Sequence, residues 1–320
     1  MLSDEHTFEG SSLSVVGNIN RDLKTAPLHP GEHLFCDGET SVSSIVETIG
    51  GGGANSAFAA ASLGARVAFL GKVGADGLAD RLERTLAQHG ICAHLARDKT
   101  LSSGTSIALT FDNGQRHFIS CLPANQALSF ADLDLNALDG YQHLLRADVW
   151  FSDAMLFEGN KQLFQAARQL NLDVSIDLNW DPHWGRACAA EIRQRKEAVR
   201  AVLPWVNLAH GNVRELTQFA DAPDLETALK RLADWGVDAV VTHLGAQGAG
   251  YYQGGSLVVE PPAAVKSQMN TTGTGDVLSV CIMLLHRRTE FDIAQRLRLA
   301  NAIVSQFMEG NRLMIPLLAD

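Results

Sequence analysis

Residues 270–288, NTTGTGDVLSVCIMLLHRR, set Gly273, Thr274 and Gly275 directly ahead of an acid, Asp276, and then run into an apolar segment. Glycines let the backbone approach a ligand closely and adopt positive φ. A helix that begins there aims its first N–H groups, and the positive end of its dipole, at one spot suited to a phosphate. An acid at that spot makes chemical sense if it takes a proton from a hydroxyl that attacks a phosphoryl group. The amides would then hold the charge spreading over the transferring oxygens. Alone, the stretch also reads as a turn followed by a helix that Asp276 caps.

A second glycine run, GGGGANSAFAAASLG (50–64), leads into an Ala-rich helix with Asn55 in its first turn. It reads as a flexible loop before a core helix. It also reads as a dinucleotide-binding fingerprint, Gly51-x-Gly53, although the third small residue would then be Ser56. That second reading predicts an oxidoreductase that binds nicotinamide and needs no magnesium.

The elements around these stretches alternate. Strands are expected over 13–19, 66–74, 147–153, 172–178, 205–211 and 237–245. Helices are expected over 54–64, 77–90, 158–170, 188–202, 213–219 and 224–236. Strand–helix alternation predicts an α/β fold with a mostly parallel sheet covered on both faces. Two stretches break the rhythm: 23–49, with Pro27, Pro30 and the β-leaning SVSSIVETI, and 103–120, which reads as a hairpin turning at Asp112, Asn113 and Gly114. Paired with each other, they would form a small β-sheet lid. The expected division is a core of 1–22, 50–102 and 121–320 with a discontinuous lid of 23–49 and 103–120.

Composition narrows the function classes. The chain has 320 residues, 46% of them hydrophobic, and a formal net charge of −10. Such an acidic chain repels nucleic acid and anionic membrane. The five cysteines are scattered without a CxxC pair, which argues against a disulfide framework or zinc and fits a cytoplasmic setting. The longest apolar run, Val277 to Leu285 interrupted by Ser279, is too short to cross a bilayer, and the polar N-terminus is unlike a signal peptide.

Taken together, the two glycine stretches resemble the paired signatures of the ribokinase-like (PfkB) carbohydrate kinase family. Intervening landmarks fit in order: VVGNINRDL (15–23), NGQRHFISCLPAN (113–125), IDLNWDPHW (176–184), GNVREL (211–216) and VVTHLGAQGAGYY (240–252). The resemblance runs from about residue 13 to about 305. It implies a three-layer α/β/α core with a β lid, and ATP-dependent phosphorylation of a sugar hydroxyl with Mg2+. It further implies Asp276 as base and the amides of Gly273, Thr274 and Gly275 as anion hole. Asn20, Asp22, Gly52 and Asn55, with Asp153 as a further acid, would contact the sugar. Asn212, Gly245, Gly248 and Asn301 would serve the nucleotide, while Glu215 with Asn212 would hold Mg2+ through water.

The chain departs from the family pattern at several positions. Asn270 stands where Asp is usual, and the C-terminal EGNRLMIPLLAD is short, which puts the family's monovalent-cation site in doubt. Thr274 replaces a smaller residue, Val280 and Cys281 replace glycines, and His243 replaces Thr or Lys. Asp181 stands in place of an arginine, which argues for a neutral ribose- or fructose-like sugar over 2-keto-3-deoxygluconate, although Arg21 or Arg116 could supply a cation. Trp180 and Trp184 could stack on a ligand or simply pack. A nucleoside acceptor, or a degenerate member that binds without turnover, are the alternatives. The lid's outer face would suit a homodimer.

Overall fold

The computed structural model describes residues 8–266, 273–311 and 316–319. Its strands are β1 (Ser12–Val16), β2 (Asn20–Thr25), β3 (Ile45–Gly50), β4 (Arg66–Gly74), β5 (Ile91–Asp98), β6 (Gly104–Thr110), β7 (Arg116–Cys121), β8 (His143–Arg146), β9 (Asp173–Asp177), β10 (Leu208–Asn212), β11 (Ala239–His243), β12 (Ala249–Gln253) and β13 (Ser256–Glu260). Its helices are α1 (Gly52–Ser62), α2 (Gly77–Gln88), α3 (Pro123–Gln126), α4 (Asn160–Gln169), α5 (Ala189–Arg200), α6 (Val213–Ala220), α7 (Leu225–Asp234), α8 (Thr274–Leu285) and α9 (Ile293–Met308).

Among the described residues, nine strands form one sheet in the order β13-β12-β11-β10-β9-β8-β1-β4-β5. The run from β11 to β5 is parallel, and β12 and β13 are antiparallel at one edge. Alternate residues of β4 serve opposite faces. Val67 and Phe69 join the core that holds α1, α2, α8 and α9, whereas Ala68 and Leu70 join the core that holds α4, α5, α6 and α7. Both faces are therefore dry, as a parallel sheet requires. Helix α8 is buried along Val277–Leu285 and packs on α1 and α9. Its apolar character all round follows from that position, and Val280 and Cys281 fill space with no exposure at all.

From β1 the chain winds one way to β4 and β5, then resumes on the other side of β1 with β8 and proceeds to β11. The crevice at the carboxyl ends of β1 and β8 is thus a topological switch point, where α/β sheets bind ligands.

The expected strand over 147–153 is corrected. The ladder residues are His143–Arg146, and the chain then turns through Asp148 at φ 54. Val149 and Trp150 are buried but belong to no strand, so their apolarity reflects core packing.

A separate four-stranded sheet has the order β3-β2-β6-β7. Strand β2 runs antiparallel to β3 and parallel to β6, and β7 closes a hairpin with β6. Gly114, at φ 81, makes that turn. Register aligns Asp22 with Ser106 and Ser120, and Lys24 with Ala108 and Phe118, on one face. Leu23, Ile107 and Ile119 fall on the other.

Candidate functional site

The switch-point crevice opens into a cavity of about 780 Å³ between the two sheets. Its inner end is built by three approaching chain segments. Gly51, at φ 99, carries the chain from β3 into α1, and a Cβ there would lie 2.3 Å from the Asn18 carbonyl oxygen. Gly53 meets Gly17 so closely that a Cβ on either would sit 2.8 Å from the other's Cα. This approach lets Asp148, after β8, receive the amides of Asn18 at 2.8 Å, Gly53 at 2.8 Å and Gly52 at 3.2 Å. Because a carboxylate already occupies the first amides of α1, a cofactor pyrophosphate cannot use them, which removes the dinucleotide reading. Burial raises the Asp148 pKa, and the three amides partly offset that.

Asn20 and Asp22 reach the same cavity from β2. Asn20 Nδ2 donates to Asp22 Oδ1 at 2.7 Å and to Ser106 Oγ at 3.4 Å. Burial raises the Asp22 pKa, while the Lys24 charge and the Asn20 bond pull it down. Gly52 and Asn55 line the cavity as well.

Asp276 lies in the first turn of α8, partly exposed, and its Oδ2 accepts from Asn55 Nδ2 at 3.2 Å. Burial, then the Asp148 charge, lifts its pKa to about 7. Gly273, at φ 85, opens the helix, and no side chain caps it. Thr274 and Gly275 border a second cavity of about 430 Å³. Asp276 therefore links residues of the two cavities: Asn55, to which it bonds, lines one, and its chain neighbours Thr274 and Gly275 line the other.

The second cavity is mainly apolar, with Ala246, Pro262, Val265, Leu278, Val304 and Met308, and it includes Gly245, Gly248 and Asn301. Such a slot suits a flat heterocycle with few polar contacts. Asn301 Nδ2 already donates to the carbonyls of Glu260 and Pro261, at 3.1 and 2.9 Å. Only its oxygen remains for a ligand. His243, whose pKa burial lowers to about 4, is neutral at pH 7 and faces Gly275; a Cβ on that glycine would lie 2.9 Å from Nδ1.

Asn212 and Glu215 form a reciprocal cap on α6. Asn212 Oδ1 accepts the Glu215 amide at 3.0 Å, and Glu215 Oε2 accepts the Asn212 amide at 2.8 Å. Among the described residues, no three His, Cys, Asp or Glu side chains are grouped to hold a metal alone. The donor set nevertheless suits Mg2+, which keeps much of its water and shares phosphate oxygens. Burial and the charges of Glu215, Asp276 and Asp148 push the Asp177 pKa well up, and burial raises Glu215 too. A divalent cation would relieve that crowding. Asn270 lies outside the described residues, as does part of the C-terminal segment, 312–315.

The structure keeps Asp153 away from this site. Its side chain is 68% exposed and pairs with Arg195 at 2.6 Å. The acid that the switch point uses is Asp148, five residues earlier. Asp181 also has a different place from the one its motif suggests: it is fully buried and bonded to Arg195 Nε at 2.8 Å, so it does not face the cavity. One ground for a neutral acceptor thereby disappears. Arg21 projects from β2 toward Glu47, at 3.3 Å, and not into the cavity. Sequence reasoning also passed over Asp177, and over Phe118, Phe151, Arg186 and Arg214, which line the first cavity. Trp180 and Trp184 both pack edge to face, with centroids 4.8 Å apart, and line the cavity.

A model of the pfkB family carbohydrate kinases matches residues 11–307. The chain is 24% identical over 312 residues to a ribokinase of Haemophilus influenzae, covering 95% of each. It is 25% identical over 243 residues to a fructokinase of Vibrio alginolyticus, covering 74% of this chain and 76% of that one. Its fold matches a putative ribokinase II of E. coli solved with ATP and Mg2+, with a TM-score of 0.78, 20% identity and 93% coverage of both chains. No helix among the described residues is long and apolar enough to cross a membrane.

Proposed function

Because the chain belongs to the pfkB family of carbohydrate kinases, we propose that it moves the γ-phosphoryl group of ATP to a sugar hydroxyl, with Asp276 as the base. One observation carries the reading: Asp276, with a pKa near 7, bonds to Asn55 of the polar cavity and directly follows Thr274 and Gly275 of the apolar one. The acceptor occupies the polar cavity against Asn20, Asp22, Gly52 and Asn55, whose short side chains and bare backbone match a hydroxyl-rich ligand. The adenine half of the nucleotide occupies the apolar cavity beside Gly245, Gly248 and Asn301. Bound ATP with Mg2+ supplies the transferable group and neutralises its charge.

The acceptor oxygen bonds to the γ-phosphorus and its proton passes to the Asp276 carboxylate. The bond from that phosphorus to the β–γ bridging oxygen breaks, and its electron pair leaves on ADP. The amides at Gly273, Thr274 and Gly275 face the transferring oxygens, a role in which donors act without reorganising. Glu215 and Asp177 would hold the hydrated metal, which would neutralise phosphate charge, and Asn212 orients Glu215 through the reciprocal cap. The small sheet serves as a lid over the acceptor, excluding water that would compete as a nucleophile. Asn270 in place of an acid favours activity independent of a monovalent cation.

A coupled assay of ADP release across ribose, fructose, a sugar acid and a nucleoside tests the activity. Asp276→Asn is expected to lower kcat by about 10³-fold or more. Activity within tenfold of the wild type would remove Asp276 as the base.

A further inference from the structure

The acceptor cavity carries charges of both signs. Asp22 and Asp148 line it, and Asp276 is bonded to Asn55, which lines it as well. Arg186 and Arg214 also line it. Among the described residues, neither Arg186 nor Arg214 has a carboxylate within ion-pair distance, and the Arg214 charge reaches only as far as lowering the Glu215 pKa against its burial.

Both arginines stand on prepared ground. The Arg214 guanidinium lies 3.9 Å from the centre of the Trp180 ring. Stacking fixes the plane and leaves the N–H edge for a ligand. Arg186 ends the segment that carries Trp180, Pro182 and Trp184 into the cavity. That segment is anchored from behind. Asp181, fully buried, pairs with Arg195, and Trp150 Nε1 donates to the Asn179 carbonyl at 2.6 Å.

We propose that the acceptor is a sugar bearing an anionic group, a carboxylate or a phosphate, remote from the hydroxyl that is phosphorylated. Arg186 and Arg214 recognise that group. A planar fork matches either anion in a bidentate fashion. The Asp22 and Asp148 carboxylates repel it, so the charge also sets the acceptor's direction: anion toward the arginines, hydroxyl toward Asp276. Phe118 and Phe151 cover the carbon chain between the two ends. This rests on the kinase reading above and goes beyond it by naming the acceptor class.

The test compares kcat/KM for D-fructose, D-fructose 6-phosphate, D-gluconate and adenosine in wild type, Arg186→Gln, Arg214→Gln and Arg214→Lys, each checked for folding by thermal melting. One anionic acceptor should exceed fructose by about 100-fold, and which one it is separates phosphate from carboxylate. Each Gln variant should narrow that ratio by about 10-fold or more, through KM, and Arg214→Lys should restore part of it. Fructose or adenosine used as well as both anions, or a ratio unmoved in the Gln variants, overturns the proposal and leaves the kinase reading standing. If no acceptor is turned over, the kinase reading fails, and calorimetry of fructose 6-phosphate and gluconate decides separately. Binding that is tighter to wild type than to the Arg186→Gln/Arg214→Gln variant supports the assignment, and no difference overturns it.

Discussion

Asp276 owes its basicity to its surroundings. An aspartate in water ionises near 4 and would be a feeble base at pH 7. Here burial comes first among the causes of a pKa of about 7, and the Asp148 carboxylate second. The base must be ionised to accept a proton, so activity is lost as pH falls through that value. For the free enzyme, kcat/KM should drop tenfold per unit below about pH 7 and level off above it. Asp148→Asn removes a negative neighbour and makes ionisation of Asp276 easier, so the inflection should move to lower pH by about half a unit to one unit. A pH–rate profile in both proteins checks this, and an unmoved inflection would mean that burial alone sets the value.

At the scale of elements, the segment 179–186 depends on Arg195 of α5. That guanidinium reaches Asp181, Asp153 and the Trp150 carbonyl, and so ties three parts of the chain together. The two acids are not equivalent. Asp181 has no exposure, whereas the Asp153 side chain is 68% exposed. Arg195→Met strands a buried charge and should cost about 3–5 kcal/mol. Asp153→Ala loosens only an exposed pair and should cost about 0–1 kcal/mol. Urea unfolding compares them, and equal losses would contradict the ranking.

The same contrast separates what was legible in the sequence from what was not. The bounds of β4 follow from local alternation, with Gly64 before it and Gly74 at its end, and the structure matches them to the residue. The α/β alternation and the separate small sheet were legible for the same reason, since period and turn chemistry are local. Asp148 was hidden because its meaning depends on residues 18, 52 and 53, which only the folded switch point brings to it. Asp181 misled for a related cause: the motif gave its position along the chain but not the partner on α5 that turns it inward. Asn212 and Glu215 were visible as a pair, yet their spacing suits a helix cap as well as a metal, and the structure displays the cap.

The whole molecule is a large sheet buried on both faces and a small sheet whose outer face is covered at one end, where Ile49 enters the core and Glu47 bonds Arg81 of α2. The inner face of the small sheet meets the acceptor cavity through Asn20, Asp22, Ser106, Phe118 and Ser120. Its outer face carries Ile45, Ile107 and Ile119, exposed by 62%, 39% and 54%. Ile107 and Ile119 are direct neighbours there, and clustered apolar residues mark a contact surface more than a solvated one, because isolated apolar residues scatter while docking faces cluster. A second copy offers the same isoleucines, so a two-fold contact would bury both sets at once. Light scattering should therefore give twice the 34.5 kDa chain mass at micromolar concentration. Ile119→Asp places a charge on that face, on the edge strand β7, whereas Asp22 and Asn20 remain on the other. It should yield monomers whose acceptor KM rises severalfold, since the strands that carry those two contacts lose their support. A monomeric wild type, or an Ile119→Asp protein that still dimerises, would show that the outer face stays open to water and that the small sheet holds its shape through β2 and its junction with α1 alone.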